Sequence, residues 1–303
     1  MLHAYFEGKI VPEQEALVHI KTNSLHYGTA VFEGIRGYFN PEKKNTGILF
    51  AKEHYTRLLK SAEGLFMQVH KNPQELVEIT RQLIRNSEVY EDVYIRPLVY
   101  FRDVAVVPKL HDYTPEISIL LYKLGKYLDT SRGIRAGVST YRRNDDNAVP
   151  TGIKVCGSYV NSALAKTESV KNGFDEAILL NSRGSVAEGS GENIFLVKNG
   201  KIITPDLSQH ILPGLTRSAI LSIARQEGIA DIEERQVARG ELYNADEIFL
   251  TGTAAEITPV IEVDRKKIGS GEVGRVTAQL QKIYFDAVRG KNEKYNTWLT
   301  MVF

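Results

Sequence analysis

The sequence has little cysteine and no excess of either charge. A single cysteine among 303 residues cannot form an internal disulfide, which excludes a disulfide-stabilised scaffold and is typical of a reducing compartment. The 38 basic and 37 acidic side chains nearly cancel and are scattered along the chain, which argues against binding to nucleic acid or an anionic membrane. We therefore expect small neutral or anionic metabolites as partners, and neither nucleic acid nor a membrane.

Other signals are missing as well. No apolar run approaches the roughly 18 residues of a membrane span, and Met1 to Tyr5 lack the basic and apolar regions of a secretory signal. We expect a cytoplasmic protein. The 7 histidines are dispersed without metal-binding spacing, so no metal site is predicted. The nucleophile-elbow and P-loop motifs do not occur.

The length and the order of the predicted elements indicate two domains. Residues 1–122 are predicted to form a small N-terminal domain, and residues 123–133, with two glycines and little periodicity, a linker. Residues 134–303 are predicted to form a larger C-terminal domain. Within it, Gly269–Gly274 matches the dinucleotide motif G-x-G-x-x-G, but no second strand and ribose-binding acid follow. We interpret that match as a turn before a helix.

Lys154 is flanked by small and apolar residues from Ala148 to Tyr159. An amine in such surroundings loses hydration, which disfavours its charged form and makes the free amine available as a nucleophile. Lys154 is therefore a candidate Schiff-base lysine. The alternative, which these residues alone favour, is a stem that covers apolar surface while the amine stays in water. Cys156 is interpreted as a small buried hydrophobic residue.

Three other stretches of the C-terminal domain are candidate ligand contacts. Glu188 lies among residues too small to cover its carboxylate, which is positioned to meet a cationic group. Leu212–Arg217 opens a predicted helix whose first amides, with the Thr216 hydroxyl, would bind an anion, although any helix start offers such amides. Gly252–Glu256 follows a predicted strand and suits a second anion contact.

The N-terminal domain contributes two arginines. Arg57 lies beside the apolar stripe of a predicted helix, where it is either solvated or available to a phosphate. Alternation along the strand Val93–Phe101 puts Tyr94 and Arg96 on one face, as a carboxylate receptor or as partners of a structural acid. Glycines interrupt the aromatic segment Ser24–Tyr38, which is either a pocket wall or a bulged core strand.

Taken together, seven segments closely resemble the branched-chain amino acid aminotransferases in order and approximate spacing, across nearly the whole chain. These segments are Leu25–Gly28, Val31–Arg36, Tyr94–Pro97, Lys154 with Tyr159, Glu188–Asn193, Leu212–Arg217 and Gly252–Glu256. That family consists of pyridoxal-phosphate enzymes of fold type IV. The resemblance implies an α+β fold with a small α/β N-terminal domain and a larger C-terminal domain that contains a mixed, barrel-like sheet.

The resemblance also implies roles for individual residues. Lys154 would carry pyridoxal 5'-phosphate as a Schiff base and move the substrate proton, Tyr159 would bond the cofactor's phenolic oxygen, and Glu188 would face its pyridine nitrogen. The implied phosphate contacts are Arg57, Leu215, Thr216 and Thr253. The implied substrate contacts are Tyr27, Phe32, Gly34, Arg36, Tyr94, Arg96, Val106, Tyr127, Thr253 and Ala254. Tyr27 and the loop near Val106 would come from a neighbouring subunit.

The implied reaction is ping-pong transamination of leucine, isoleucine and valine with 2-oxoglutarate. It implies a homo-oligomer, a dimer or dimer-based hexamer, with the active site at the subunit interface. The same class includes D-amino acid and (R)-amine aminotransferases and aminodeoxychorismate lyases, and a non-catalytic pyridoxal-phosphate binder is a remote alternative.

Two departures from the family pattern leave the substrate range open. The loop Arg102–Lys109 lacks the glycine-rich character of this family, and Leu124 replaces a tryptophan frequent in bacterial relatives.

Overall fold

A computed structural model of the chain describes residues 1–123 and 127–303. Leu124, the site of one departure from the family pattern, lies outside the described residues. The helices in the described part are α1 Asn23–Tyr27, α2 Ala51–Gly64, α3 Pro73–Asn86, α4 Tyr159–Lys171, α5 Leu215–Gln226, α6 Arg239–Leu242 and α7 Arg275–Val288. Short 3₁₀ turns occupy Glu13–Glu15, Cys156–Ser158, Leu207–Gln209 and Glu293–Trp298.

The strands of the described part divide between two sheets. The first contains β1 His3–Phe6, β2 Lys9–Pro12, β3 Ala30–Phe32, β4 Ile35–Asn40, β5 Asn45–Leu49, β6 Val93–Phe101, β7 Pro115–Lys123 and β17 Leu299–Met301. The second contains β8 Ile134–Arg142, β9 Glu176–Leu180, β10 Val186–Gly189, β11 Asn193–Lys198, β12 Lys201–Thr204, β13 Asp231–Glu234, β14 Glu247–Gly252, β15 Glu256–Val263 and β16 Lys266–Lys267.

Contacts between Cα atoms group the chain into two compact units. The first comprises Met1–Gly125, Ile153–Gly157 and Asp286–Phe303, and the second comprises Lys126–Gly152 and Ser158–Phe285. Two strand contacts account for the distant segments of the first unit, since Val155 bridges Val31 and β17 pairs with β5. The predicted limits 1–122, 123–133 and 134–303 follow the chain without interruption and stay a prediction.

The first unit is built on an antiparallel sheet in the order β17-β5-β4-β6-β7-β1-β2, with β3 also paired to β6. Helix α3 begins at Pro73, which suits a first helical turn, and Asn72 and Glu75 form a capping box. Helix α2 buries Tyr55, Leu58 and Ala62, which recur at helical spacing. His54, Arg57 and Ser61, which belong to the candidate site, also recur at helical spacing and lie beside that stripe.

The second unit is built on a mixed sheet in the order β10-β9-β8-β15-β14-β11-β12-β13. Its parallel pairs are β8 with β9, β8 with β15 and β12 with β13. The predicted mixed sheet is therefore present in the second unit. Aliphatic side chains from β9, β11, β14 and β15, including Ile178, Ile194, Leu250 and Val260, form its core. Strands β10 and β14 and the start of α5 carry the candidate site residues of this unit.

Most predicted elements are confirmed. The strand Val93–Phe101 has the predicted limits, a helix follows the Gly269–Gly274 turn, and Arg57 lies on a helix. The segment Ser24–Tyr38 differs, because it begins with helix α1 before β3 and β4. Asn23, at the start of α1, donates its side-chain amide to the carbonyl oxygens of Ala105 and Val107, contacts that local sequence does not reveal. Within residues 1–123 and 127–303, no helix is long and apolar enough to cross a membrane.

Candidate active site

The segment that carries Lys154 is fixed to the first unit by backbone hydrogen bonds. Phe32 N donates to Lys154 O at 3.1 Å, and Gly157 N donates to Gly28 O at 3.0 Å. Lys154 N donates to the Oγ of Ser61 on helix α2 at 3.2 Å. The lysine main chain is therefore held on both sides, by strand β3 and by helix α2, and its side chain is half-buried.

The side chain of Lys154 shares an aromatic surface with Arg96. Lys154 Nζ lies 4.9 Å from the centre of the Phe32 ring, and the Arg96 guanidinium carbon lies 4.6 Å from it. Arg96 Nη2 donates to Tyr94 Oη at 3.1 Å, which confirms that these two residues share one strand face. A Cβ on Gly34 would lie 2.0 Å from Tyr94 Oη, so only glycine leaves room for the phenol. Phe32, Gly34, Tyr94, Arg96 and Lys154 therefore form one cluster.

Arg57 has a buried acidic partner that the sequence did not indicate. Its Nε and Nη2 donate to the two carboxylate oxygens of Glu33 at 2.5 and 2.8 Å. His54 Nδ1 lies 2.7 Å from the same carboxylate, and Glu33 is 0% and His54 2% exposed. Burial alone would raise the pKa of Glu33, but the charge of Arg57 and the hydrogen bonds it donates hold that pKa well below its usual range.

The remaining predicted residues of the first unit occupy other positions. Arg36 is cross-strand partner to Tyr94, but its guanidinium lies 3.7 Å from Asp92 and 5.0 Å from the Tyr38 ring centre. Tyr27 is the last residue of α1. Val106 lies in a loop and is 75% exposed.

In the second unit, Glu188 on β10 receives three hydrogen bonds. Arg143 Nε donates at 2.6 Å to one carboxylate oxygen, and Asn193 Nδ2 and Leu212 N donate at 3.2 and 3.1 Å to the other. Both partners of the ion pair are nearly buried, with the side chains 11% and 8% exposed. The carboxylate is thereby held in one orientation.

Helix α5 begins three residues after Leu212, whose backbone amide binds this carboxylate. Gly214 is its N-cap and provides no side chain to the first-turn amides, which include those of Leu215 and Thr216. A Cβ on Gly214 would lie 2.0 Å from Asn193 Oδ1, so the close approach of this loop to β11 requires glycine. Such amides, at the positive end of the helix dipole, are suited to an anion.

The last predicted residues of the second unit flank these elements. Thr253 and Ala254 form the turn between β14 and β15 and are half-buried. Tyr159 is the first residue of α4 and is also half-buried. Tyr127 is 45% exposed. The predicted residues thus fall into two sets, one in each unit.

Three residues were missed by reasoning from the sequence. Glu33 lies in the segment Val31–Arg36 but was not a predicted site residue, His54 lies on the same helix as Arg57, and Arg143 directly follows strand β8. Each acts through a partner more than 20 positions away, with Glu33 and His54 separated by 21 and Arg143 and Glu188 by 45. Cys156 is half-buried, not fully buried as expected, and burial raises the pKa of its thiol to about 11, which disfavours a thiolate nucleophile.

Comparison with known proteins identifies the family. The family described as "Amino-transferase class IV" matches residues 30–263. A "Probable branched-chain-amino-acid aminotransferase" of Aquifex aeolicus (strain VF5) is 62% identical over 300 residues, which cover 99% of this chain and 96% of that protein.

Two solved structures are similar over nearly their whole length. The branched-chain aminotransferase of Thermoproteus uzoniensis with norvaline superposes with a TM-score of 0.96 at 40% identity, covering 100% of this chain and 99% of that one. The branched-chain amino acid aminotransferase of Thermobaculum terrenum in its PLP-form (holo-form) superposes with a TM-score of 0.95 at 37% identity, covering 99% of this chain and 98% of that one. This chain belongs to the class IV aminotransferases.

Proposed function

We propose that this protein is a branched-chain amino acid aminotransferase, which uses pyridoxal 5'-phosphate to exchange amino groups between leucine, isoleucine or valine and 2-oxoglutarate. The observation that carries the proposal is the cluster of Lys154, Phe32, Tyr94 and Arg96, which combines an amine, an apolar wall and a guanidinium. The relatives reported above, with that activity in their names, support it over the full chain length.

The residues present fit the cofactor chemically. Its aldehyde needs an amine, which Lys154 provides, and its phosphate needs cationic and amide donors. Helix α5 begins without a side-chain cap, so its Leu215 and Thr216 amides are suited to a phosphate oxygen. Arg57 adds a guanidinium and Thr253 a hydroxyl. The buried carboxylate of Glu188 suits a protonated pyridine nitrogen, and Tyr159 is the proposed donor to the phenolic oxygen.

The cofactor, when bound, acts as an electron sink that stabilises the negative charge left when the substrate loses its α-proton. Glu188, held by Arg143, supports that sink because a carboxylate favours the protonated form of a ring nitrogen. Lys154 is the proposed base that takes the proton from the substrate Cα in one half-reaction. It is also the proposed acid that returns a proton in the other half-reaction. Phe32 limits the motion of the lysine amine by covering it from one side.

The substrate pocket must accept an apolar side chain and an anionic one. Phe32 supplies apolar surface, and Arg96 supplies a guanidinium that can bind the γ-carboxylate of glutamate. Arg96 Nε is buried and has no hydrogen-bond partner among the described residues, so the guanidinium still has a donor to offer. Gly34 and Arg36 shape the same sheet face around Tyr94. Tyr127 and Ala254 complete the proposed contacts.

We further propose a homodimer, or a hexamer built from dimers, in which Tyr27 and Val106 serve the neighbouring subunit. The support is a patch of exposed apolar residues around α1 and the loop near it. These residues are Leu17, Ile20, Leu25, Val104 and Val106, between 57% and 75% exposed. Apolar surface of this kind is typical of a protein interface. We propose the cytoplasm as the place of action, where the single cysteine stays reduced.

Two experiments test the function. Borohydride reduction of the cofactor-loaded protein, followed by peptide mapping, is expected to place the pyridoxyl group on Lys154, and a label on another lysine would contradict the assignment. A panel of L-leucine, L-isoleucine, L-valine, D-alanine and (R)-1-phenylethylamine, with 2-oxoglutarate and pyruvate as acceptors, is expected to favour the three branched-chain amino acids. Preference for either of the other amines would place the protein in another branch of the class.

A further inference from the structure

The buried carboxylate of Glu33 is saturated with hydrogen-bond donors. Its Oε1 accepts from Arg57 Nε at 2.5 Å, and its Oε2 accepts from Arg57 Nη2 at 2.8 Å, His54 Nδ1 at 2.7 Å and Gly34 N at 3.3 Å. A carboxylate is acceptor-only, so the histidine nitrogen facing it carries the proton. A fully buried charge is tolerated only when it is paired and hydrogen-bonded in this way.

The arrangement fixes the plane of the Arg57 guanidinium. Two parallel N–H bonds to one carboxylate form the bidentate fork, which defines both the position and the rotation of the arginine head. His54 and Gly34 hold the carboxylate in turn, so Glu33 itself has little freedom.

The fork lies beside the segment that carries Lys154. Arg57 and Ser61 are four positions apart on helix α2 and so share one helix face. Ser61 Oγ accepts the hydrogen bond from Lys154 N. On the other side, Glu33 follows Phe32, whose ring lies 4.9 Å from Lys154 Nζ. The same two elements therefore position both the lysine and the arginine.

We propose that Glu33, held by His54, is a positioning residue that presents Arg57 to the phosphate of the cofactor. This inference rests on the proposed function, in which Arg57 binds that phosphate. A flexible surface arginine would have to be ordered at the moment of binding, whereas Arg57 is ordered in advance. Preorganisation of this kind increases affinity by removing the cost of ordering.

The test compares two aldehydes that differ only in the phosphate. Cofactor-free protein is titrated with pyridoxal 5'-phosphate and with pyridoxal, and each dissociation constant is read from the absorbance of the lysine adduct. Glu33→Gln is expected to weaken binding of the phosphorylated aldehyde about 10- to 100-fold, the range for loss of a charge-assisted contact. Binding of pyridoxal should change about twofold or less.

Two further variants separate positioning from stability. Arg57→Gln should produce a similar selective loss, and adding Glu33→Gln to it should have little further effect, because the two residues act as one. Glu241→Gln is the matched control, since Glu241 forms a bidentate pair with Arg235 in the second unit at 3.0 and 2.7 Å. It should leave both dissociation constants unchanged.

Each other outcome overturns the inference. If Glu33→Gln weakens both aldehydes equally, Glu33 only supports the fold, and if it strengthens phosphate binding, Glu33 only neutralises Arg57. Additive losses from Glu33→Gln and Arg57→Gln would show independent roles. If Glu33→Gln does not fold, Glu33→Asp replaces it, and an unchanged preference for the phosphorylated aldehyde in that variant rejects positioning. Absence of a lysine adduct in the unmodified protein would instead reject the proposed function itself.

Discussion

Replacement of Arg96 by methionine tests how one pocket accepts both leucine and glutamate. Methionine keeps the unbranched apolar stem that packs near Phe32, and it removes the guanidinium whose carbon lies 4.6 Å from that ring. It also removes the donor to Tyr94 Oη at 3.1 Å. Glutamate has a second carboxylate that needs a cationic partner, and leucine has none. The substitution should therefore affect the two amino donors unequally.

The expected size follows from the interaction that is lost. A hydrogen bond to a charged group contributes about 1.5 to 3 kcal/mol, and each 1.36 kcal/mol corresponds to about a tenfold change in rate. We expect the glutamate half-reaction to lose roughly tenfold to more than a hundredfold in kcat/KM. The leucine half-reaction should change about fivefold or less, because leucine has no second carboxylate and is affected only through the lost bond to the Tyr94 phenol.

Stopped-flow measurement of the two half-reactions separates these effects, because each is followed without the other substrate. Arg135→Met is the control, since Arg135 undergoes the same change of residue and charge but is 51% exposed and lies 3.4 Å from Asp175. It should leave both half-reactions unchanged. Equal losses for leucine and glutamate in Arg96→Met would refute the reasoning and leave Arg96 a structural role.

Three other predictions concern space, charge and protonation. Gly34→Ala would place a carbon 2.0 Å from Tyr94 Oη, and displacement of the phenol should raise KM for leucine about fivefold, the loss of one neutral hydrogen bond. Arg143→Met leaves the buried Glu188 carboxylate without its cation, and urea denaturation of the cofactor-free protein should show about 3 to 5 kcal/mol less stability. Burial raises the pKa of Glu192 from 4.5 to about 8, so folded protein keeps a proton that the unfolded chain releases, and stability falls as pH rises through this window. Glu192→Gln should remove that decline, up to about 1.4 kcal/mol per pH unit, in melting curves recorded across the window.

An exposed ion pair serves as the control for Arg143→Met. Arg225 forms an ion pair with Glu234 at 2.9 Å, but its side chain is 60% exposed. Arg225→Met should cost less than about 1 kcal/mol, because water screens an exposed pair. A cost for Arg143→Met no larger than this would show that the buried pair contributes nothing to folding.

For Gly34→Ala, an unchanged KM would show that the phenol moves without consequence.

The protonation prediction depends on the groups that face Glu192. After burial, the charge of Glu176 raises the pKa of Glu192 most and Glu188 adds to it, whereas Lys166 and the Gly191 amide lower it. Lys166 pairs with Glu176, which limits the repulsion. If the decline in melting temperature persists in Glu192→Gln, another group is responsible for it.

The sequence was sufficient wherever the determining contacts are local. Proline at position 73 after a capping asparagine defines the start of α3, and the β-branched and aromatic run Val93–Phe101 defines β6. The alternation of that strand was also enough to place Tyr94 beside Arg96. Fixed periodicity makes such predictions possible, because neighbours on one face are two positions apart in a strand and three or four positions apart in a helix.

The contacts that hold Arg57 and Glu188 could not be predicted in the same way. Arg57 and Glu33 are 24 positions apart, and Arg143 and Glu188 are 45 apart, so no local period connects them. An arginine beside an apolar helical stripe was equally consistent with a solvated residue. Only tertiary packing shows that the acidic partner of Arg57 is fully buried. The short helix α1 was missed for a related reason, since loop carbonyls around residues 105–107 stabilise it.

The pairing of β17 with β5 imposes an order on biosynthesis. Leu299 lies opposite Leu49, and the carbonyl oxygen of Val302 accepts a hydrogen bond from Arg85, 217 positions earlier in the chain. During translation the first unit therefore lacks this edge strand until residues 299–301 have been synthesised. Contacts of such long sequence separation form late. We infer that the sheet of the first unit is completed only after residues 299–301 are made, and proteolysis of stalled chains ending before residue 299 should find the first unit more accessible than in the full chain.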